Sequence, residues 1–235
     1  MSLEVKDLSS GYGKLKVLFN INFSATPESI VAVVGPNGAG KTTLLNSIYG
    51  FTDIYSGQVL FEGVDITNLS PYKRARLGLA YVPQTGNIFS DLTVYENLVL
   101  AGYQLPREDV KDRVDEVLNI FPKLKELIHR RAGTLSGGER RMLAIAIGLM
   151  KKPKVLLLDE ITTDLAPIIV KSVLNKIVEL RNNLKITVVL VEQYAKRALE
   201  ISDRAYLLVS GRIRFEGKPD DLLKNEELVK IYLGL

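Results

Sequence analysis

The feature that most constrains the fold of this chain is a short glycine-rich loop, residues 35–42, with the pattern G-x-x-x-x-G-K-T. A continuous apolar run, residues 30–34, leads into the loop, and residues 44–49 follow it with the composition of a helix that stops at Gly50. The pattern is typical of a phosphate-binding loop when a strand precedes it and a helix follows it. Its glycines tolerate positive φ and close approach, so several N–H groups can meet one anion.

Residues at the end of the loop add charge and metal-binding chemistry. The helix predicted to begin at Lys41 points its positive dipole end at the anion, and the Lys41 ammonium reaches the outer phosphates. The Thr42 hydroxyl is a suitable ligand for Mg²⁺. The sequence therefore predicts a site for a magnesium nucleoside triphosphate. The predicted contacts in the loop are Gly35, Asn37, Gly38, Ala39, Gly40, Lys41, Thr42 and Thr43.

Length and composition limit the alternatives. The 235 residues fit one large α/β domain with room for an inserted lobe. The net charge of +4 is too small and too scattered to indicate a nucleic-acid partner. The chain has no cysteine and one histidine, His129, which excludes Cys/His zinc sites and thiol catalysis, so any general base has to be a carboxylate. We find no signal peptide and no apolar stretch of membrane-spanning length, and expect a soluble, intracellular chain that reaches a membrane through a partner.

The first residues predict an antiparallel hairpin. Residues 3–8 and 17–23 alternate apolar and polar side chains, and a turn is predicted at 9–13. Tyr12 lies in that turn, upstream of the phosphate loop, where an exposed ring could stack on a nucleobase. A surface tyrosine without a function is the alternative, and this residue alone does not decide between them.

The middle of the chain changes from strand to helix patterns. Residues 58–62 and 79–82 are predicted strands, and 65–77 is a polar, irregular helical stretch. Gln84 follows the second strand, at the edge of an α/β sheet where ligands bind. Apolar residues at helical spacing over 93–150 then predict a helical lobe inserted into the sheet domain.

The last helix of the lobe has an unusual start. Ser136 and Glu139 form the S-x-x-E pattern of a capping box. The intervening Gly137 and Gly138 cost about 1 kcal/mol each relative to alanine. They leave backbone N–H groups bare at a positive dipole end, which predicts a second anion site. The alternative is a helix entry that follows a flexible loop.

Two adjacent acids follow a fully apolar segment. Residues 155–158 predict a strand buried on both faces that ends at Asp159 and Glu160. If the strand continues, the two side chains point to opposite sides. Asp159 is then placed to orient hydrated Mg²⁺, and Glu160 to face the water that attacks the outer phosphorus. A solvated acidic strand end is the alternative.

The remainder of the chain predicts further alternation of helix and strand, with no second domain. The predicted elements are a helix at 168–180, a strand at 186–191 that ends at Glu192 and Gln193, a helix at 194–201, a hairpin of 205–209 with 213–216, and a helical tail at 219–235.

Four motifs together resemble the nucleotide-binding subunit of ABC transporters over essentially the whole chain. They are GPNGAGKTT (residues 35–43), Gln84, LSGGE (residues 135–139) and VLLLDE (residues 155–160). The resemblance implies an α/β P-loop NTPase of the ABC ATPase type, with a mixed central sheet, an N-terminal antiparallel β part and an inserted helical subdomain. Residues 1–92 and 151–235 would then form a RecA-like core, and residues 93–150 the helical subdomain, of a single domain.

The resemblance also implies how the site works. In this family two subunits pair head to tail with ATP between them, so Ser136, Gly137 and Gly138 would meet the γ-phosphate bound by the partner. Tyr12 and Val17 would contact adenine. Glu160 would be the catalytic base, acting with Lys41, Gln84 and Gln193. The implied Mg²⁺ ligands are Thr42, Gln84 and Asp159.

Finer features are similar to one branch, the ATPases of branched-chain amino acid importers. These features are residues 93–98, 164–167, 191–193 and 231–235. The likeness implies a homodimer or a heterodimer with a related ATPase, permease subunits in the membrane, and indirect action on an extracytoplasmic solute-binding protein. The chain would be a peripheral protein on the cytoplasmic side of the membrane, with no nucleic-acid partner.

Three residues depart from the family pattern. Gln193 replaces a common histidine, Ile161 a usual proline, and Asp164 a glycine usual in the branch. These departures put the turnover rate in doubt and leave the site intact. Two other readings stay open: the ATPase of another ABC system, such as a lipid or lipopolysaccharide exporter, or a soluble ABC ATPase that acts in DNA repair or translation.

Overall fold

Two sheets and several helices make up the structure, a computed structural model that describes residues 1–233 and, of Leu233, the backbone alone. The strands within these residues are β1 (Leu3–Tyr12), β2 (Leu15–Ala25), β3 (Ile30–Val34), β4 (Asp53–Phe61), β5 (Val64–Asp65), β6 (Leu79–Val82), β7 (Val155–Asp159), β8 (Thr187–Glu192), β9 (Arg204–Val209) and β10 (Arg212–Gly217). The α-helices are α1 (Lys41–Tyr49), α2 (Pro71–Leu77), α3 (Val94–Ala101), α4 (Arg107–Ile120), α5 (Pro122–Glu126), α6 (Gly137–Leu149), α7 (Pro167–Leu184), α8 (Ala195–Ile201), α9 (Pro219–Leu223) and α10 (Glu226–Leu228). Short 3₁₀ and π-helical turns lie at Ala132–Thr134 and Val229–Leu233.

The central sheet has six strands in the order β10-β9-β3-β8-β7-β6. The strands from β9 to β6 run parallel, and β10 pairs antiparallel with β9. β3, β7 and β8 are buried along their whole length, which explains their aliphatic sequences, because parallel strands are covered on both faces. Val34 pairs with Glu192, and Asp159 with Val191, so the segments that follow these strands meet at one edge of the sheet.

Each face of the central sheet buries its own apolar core. Ile30 and Leu156 belong to the core shared with the helical lobe, α7 and α8. Val31 and Leu157 belong to the core shared with α1 and the N-terminal strands. Helices α3 to α6 lie between β6 and β7 in the chain, and α6 packs on β6. None of the helices in residues 1–233 combines the length and apolar character needed to cross a bilayer.

The second sheet is antiparallel, in the order β2-β1-β4-β5. The predicted turn at 9–13 is wrong, because β1 runs on to Tyr12 and the chain reverses at residues 13–14. Ser9 and Ser10 look like turn residues in the sequence but are buried in the strand, where the Ser10 hydroxyl lies 2.7 Å from that of Ser47. Register shifts along β1 take up the irregularity of its sequence.

The bounds of β4 and α2 also differ from prediction. The strand predicted at 58–62 begins earlier, at Asp53, because its polar half pairs with β1. The helix predicted over 65–77 is confined to α2, since Pro71 sets its first turn. The tail is helical as far as the structure describes it, and residues 234–235 lie outside the described residues.

Candidate functional site

The glycine-rich loop connects β3 to α1 as predicted. Gly38 and Gly40 have φ values of 75° and 102°, in the left-handed region that favours glycine. Gly35 is required by close packing, because a Cβ there would lie 2.1 Å from the Leu208 carbonyl oxygen. α1 begins at Lys41 without a side-chain cap, so its first N–H groups face the loop. This arrangement is a cradle for an anion.

The ammonium of Lys41 lies inside this loop. Its side chain is 4% exposed, and Nζ donates to the carbonyl oxygens of Gly35 and Pro36 at 3.0 and 3.2 Å. Nζ also lies 3.5 Å from Oε1 of Glu160. The lysine predicted to reach phosphate and the acid predicted to be the base are therefore neighbours.

Asp159 ends β7 and is buried, with 2% of its surface exposed. Its Oδ1 accepts from the Thr42 hydroxyl at 3.1 Å and its Oδ2 from the Tyr81 hydroxyl at 3.0 Å. Burial raises the pKa of the carboxyl, and both hydrogen bonds oppose that shift. A hydroxyl beside a carboxylate is a donor set of the hard oxygen type that Mg²⁺ prefers, so Thr42 and Asp159 fit the metal.

Glu160 lies beyond the end of the strand, with φ of 45°. The two acids are therefore separated by a turn and not by the pleat of a continuing strand, which corrects that prediction. The backbone N–H of Glu160 donates to Val191 at 2.9 Å, and this bond fixes the turn against β8. Oε2 of Glu160 accepts from Nε2 of Gln84 at 3.3 Å. A non-glycine residue in the left-handed region has a backbone cost, which these contacts of Glu160 offset.

Gln193, Val17 and Tyr12, which were also predicted to belong to the site, lie around the loop. Gln193 follows β8, is exposed, and lines a groove of about 780 Å³ with Gly35 and Asn37. Val17 lies against the loop, with its Cγ1 3.5 Å from where a Cβ on Gly40 would stand. Tyr12 is 43% exposed, and its hydroxyl accepts from Asn46 of α1 at 2.8 Å.

The predicted capping box at the start of α6 is present. The Ser136 N–H donates to Glu139 at 2.8 Å, and the Glu139 N–H donates to the Ser136 hydroxyl at 3.4 Å. Ser136 and Gly137 are exposed, and Gly137 lines a groove with Gln84 and Asp164 that does not include the glycine-rich loop. Within this chain the predicted second anion site thus lies in a different groove from the glycine-rich loop.

Packing gives one of these glycines a structural reason that the sequence did not reveal. A Cβ on Gly138 would lie 2.6 Å from the Ile169 side chain of α7. A side chain at this position would displace the Ile169 side chain, so the packing of α6 against α7 is a second reason for a glycine here. On Gly137 a Cβ would meet only the Leu165 side chain, at 3.1 Å.

Residues 18–163 match the sequence profile of the family described as ABC transporter. A protein of Archaeoglobus fulgidus named as the probable branched-chain amino acid transport ATP-binding protein LivF is 50% identical over 233 residues, or 99% of each chain. This chain belongs to the ABC transporter family. The high-affinity branched-chain amino acid transport ATP-binding protein BraG of Pseudomonas aeruginosa is 42% identical over 99% of each chain.

A solved ATP-binding cassette of an ABC transporter, in its ADP conformation, has the same fold. It is 30% identical, with a TM-score of 0.88 over 97% of each chain. The predictions of an ABC ATPase and of its fold are both confirmed.

The structure shows the surroundings of Ile161 and Asp164, two of the residues in which this ABC ATPase departs from the expected family pattern. Ile161 is completely buried, so it fills apolar space beside Glu160. Asp164 has φ of 62°, a conformation that glycine adopts most readily. Neither residue disturbs the contacts among Lys41, Gln84 and Glu160.

Sequence reasoning missed three residues that support the site of this ABC ATPase. Tyr81 holds Asp159, and burial raises the pKa of its hydroxyl far above the usual value, so it remains a donor. Arg141, on α6, donates to the carbonyl oxygens of Gln84 and Thr163. Glu192 lies in the segment 191–193, which was noted only for its likeness to one branch, and its one chemical signal was an acid at the end of a mostly apolar strand.

Glu192 connects the ends of β7 and β8. It is 1% exposed and accepts from the Thr162 N–H at 3.0 Å and the Thr162 hydroxyl at 2.7 Å. Burial raises its pKa to about 7, the charge of Glu160 adds to the rise, and the hydrogen bonds and Arg141 oppose it. These bonds hold the segment after Glu160 against β8.

The raised pKa of Glu192 predicts a pH-dependent stability. In the folded chain the Glu192 carboxyl keeps its proton up to about pH 7, above the pKa that it has in the unfolded chain. The stability that the protonated carboxyl contributes is therefore complete below the unfolded pKa and is lost as the pH rises through 7. The glutamine of Glu192→Gln cannot ionise. Between pH 5 and pH 8 the free energy of unfolding of this variant should therefore rise relative to that of the parent, by on the order of 3 kcal/mol. Urea unfolding at several pH values measures the gain. Exposed Glu200→Gln is the control, and parallel curves for parent and Glu192→Gln would contradict the assignment.

Proposed function

We propose that this chain is the ATP-binding and ATP-hydrolysing subunit that powers the import of branched-chain amino acids. Two relatives, 50% and 42% identical over nearly the full length, carry names of that transport class. The catalytic part of this proposal rests on the contacts among three side chains. Glu160 lies 3.5 Å from the phosphate-loop lysine and accepts a hydrogen bond from Gln84 at 3.3 Å.

Each part of the site has a role in this proposal. The loop N–H groups and Lys41 bind the phosphates of ATP, and Tyr12 and Val17 contact the adenine. Glu160 takes the proton of the attacking water, Gln84 orients that water, and Gln193 donates an amide hydrogen bond to the γ-phosphate. Mg²⁺, which offsets the charge of the phosphates, is assigned to Thr42, Gln84 and Asp159.

The exposed start of α6 supports a dimer with ATP at its seam. Ser136 and Gly137 are exposed at a helix N-terminus with an intact capping box. In the proposed dimer, of two copies or with a related ATPase, this helix start and Gly138 bind the γ-phosphate held by the partner. We assign residues 1–92 and 151–235 to the RecA-like core and 93–150 to the helical subdomain of a single domain.

The transport role requires partners in the membrane. We place a permease loop in a groove of about 350 Å³ between the core and the helical lobe, which is lined by Tyr81, Asn87, Phe89, Asn97 and Tyr103 among others. The chain is then a peripheral protein on the cytoplasmic side, and it affects an extracytoplasmic solute-binding protein only through the permease. No nucleic acid takes part.

Uptake of radiolabelled leucine by cells that lack this gene tests the proposed function. We expect uptake to fall and to return with the parental gene, but not with the Lys41→Ala variant. Uptake of a basic amino acid is the control and should not change. Normal leucine uptake in the deleted strain, with loss of another transport activity, would assign the subunit to a different ABC system.

A further inference from the structure

Tyr81 is the third residue of β6, and its hydroxyl crosses to the end of the neighbouring β7. It donates to Oδ2 of Asp159 at 3.0 Å. Oδ1 of the same carboxylate accepts from Thr42 at 3.1 Å. One donor therefore lies at each oxygen, and the two bonds together fix the rotation of the carboxylate. Thr42 alone would leave the second oxygen without a partner in a buried position, which is costly.

The ring of Tyr81 is itself held in place. Its centroid lies 5.5 Å from that of Tyr49 and 6.2 Å from that of Phe51, and the Tyr49 and Phe51 rings are 5.1 Å apart. Aromatic pairs at these distances stabilise one another. Tyr49 belongs to the same cluster, but among residues 1–233 its hydroxyl has no hydrogen bond to Asp159. The cluster therefore contains one tyrosine that contacts the carboxylate and one that does not.

We propose that Tyr81 is a positioning residue for the magnesium site: its hydroxyl holds Asp159 in the orientation that binds the metal. This inference rests on the proposed function, which assigns Asp159 to Mg²⁺. Partners in the outer shell of a metal site orient the ligands, and their loss typically costs 10- to 100-fold in metal affinity or activity. Because Tyr81 also lines the groove assigned to the permease, one side chain reaches from that groove to the metal ligand.

The test compares Tyr81→Phe with Tyr49→Phe in the full chain. Both variants remove one hydroxyl from the same aromatic cluster, so they have matched effects on packing. We would measure binding of a fluorescent ADP analogue in EDTA and during titration with MgCl₂. For Tyr81→Phe we expect unchanged affinity for the analogue in EDTA. The MgCl₂ concentration that gives half of the full change in analogue binding should rise on the order of tenfold. Tyr49→Phe should match the parent in both measurements.

The outcomes separate the inference from the proposed function. If the parent binds the analogue and responds to Mg²⁺, but Tyr81→Phe titrates like the parent, Tyr81 has no positioning role. The same conclusion follows if both variants change the Mg²⁺ response equally, because the effect then belongs to the cluster as a whole. If the parent itself does not bind nucleotide, the proposed function fails first.

Discussion

Glu160→Gln is expected to retain ATP binding, to hydrolyse ATP at a rate lower by a factor of about 10² to 10⁴, and to accumulate as an ATP-bound dimer. The carboxylate of Glu160 lies 3.5 Å from the Lys41 ammonium of the phosphate loop. A glutamine side chain has nearly the same shape and can accept the hydrogen bond from Gln84, but it cannot take a proton from water. Phosphate release and size-exclusion chromatography with ATP measure the two effects.

The controls for this variant use the same substitution elsewhere. Glu200→Gln, at an exposed position of α8, should hydrolyse ATP at the parental rate and elute like the parent. Hydrolysis by Glu160→Gln at the parental rate would refute the role of Glu160 as the base. Because the isolated subunit can be slow without its permease, single-turnover conditions give the clearest comparison.

Lys41→Ala is expected to weaken the binding of ATP and ADP by about 10- to 100-fold, since hydrogen bonds to charged groups contribute about 1.5–3 kcal/mol. The ammonium is buried in the loop, where it contacts Gly35, Pro36 and Glu160, and none of these residues is a cation that could replace it. Isothermal titration calorimetry with ADP measures the loss without turnover.

One further variant separates charge from packing at this lysine, and a second variant is a control at another lysine. Lys41→Met keeps most of the side-chain volume and should lose as much affinity as Lys41→Ala. Lys171→Ala, at an exposed position of α7, should bind like the parent. Parental affinity in both Lys41 variants would count against the phosphate-binding role of the loop.

The fold was most predictable where side chains alone determine the element. β3, α1 and β6 have the predicted ends, because a glycine stands directly before or after each of them. β4 was half missed, since the residues from Asp53 to Gln58 are mostly polar and exposed, and only backbone pairing to β1 makes them a strand. Such pairing leaves no pattern in the sequence of the strand itself.

The candidate site was predictable where short motifs contain its residues. Lys41, Asp159 and Glu160 belong to such motifs, and the structure brings them together. Tyr81 and Glu192 were not predictable as supports, because each acts through a partner 78 or 30 residues away. Nothing near them in the sequence marks those contacts, which depend on the order of β6, β7 and β8 in the sheet.

The guanidinium of Arg141 has a mechanical consequence for this ATPase. It joins α6, the helix that begins at Gly137, to the carbonyl oxygens of Gln84 and Thr163. Gln84 and Thr163 both form hydrogen bonds with Glu160. A rotation of α6 relative to the central sheet would therefore break the Arg141 bonds or displace two neighbours of the side chain that we propose as the base.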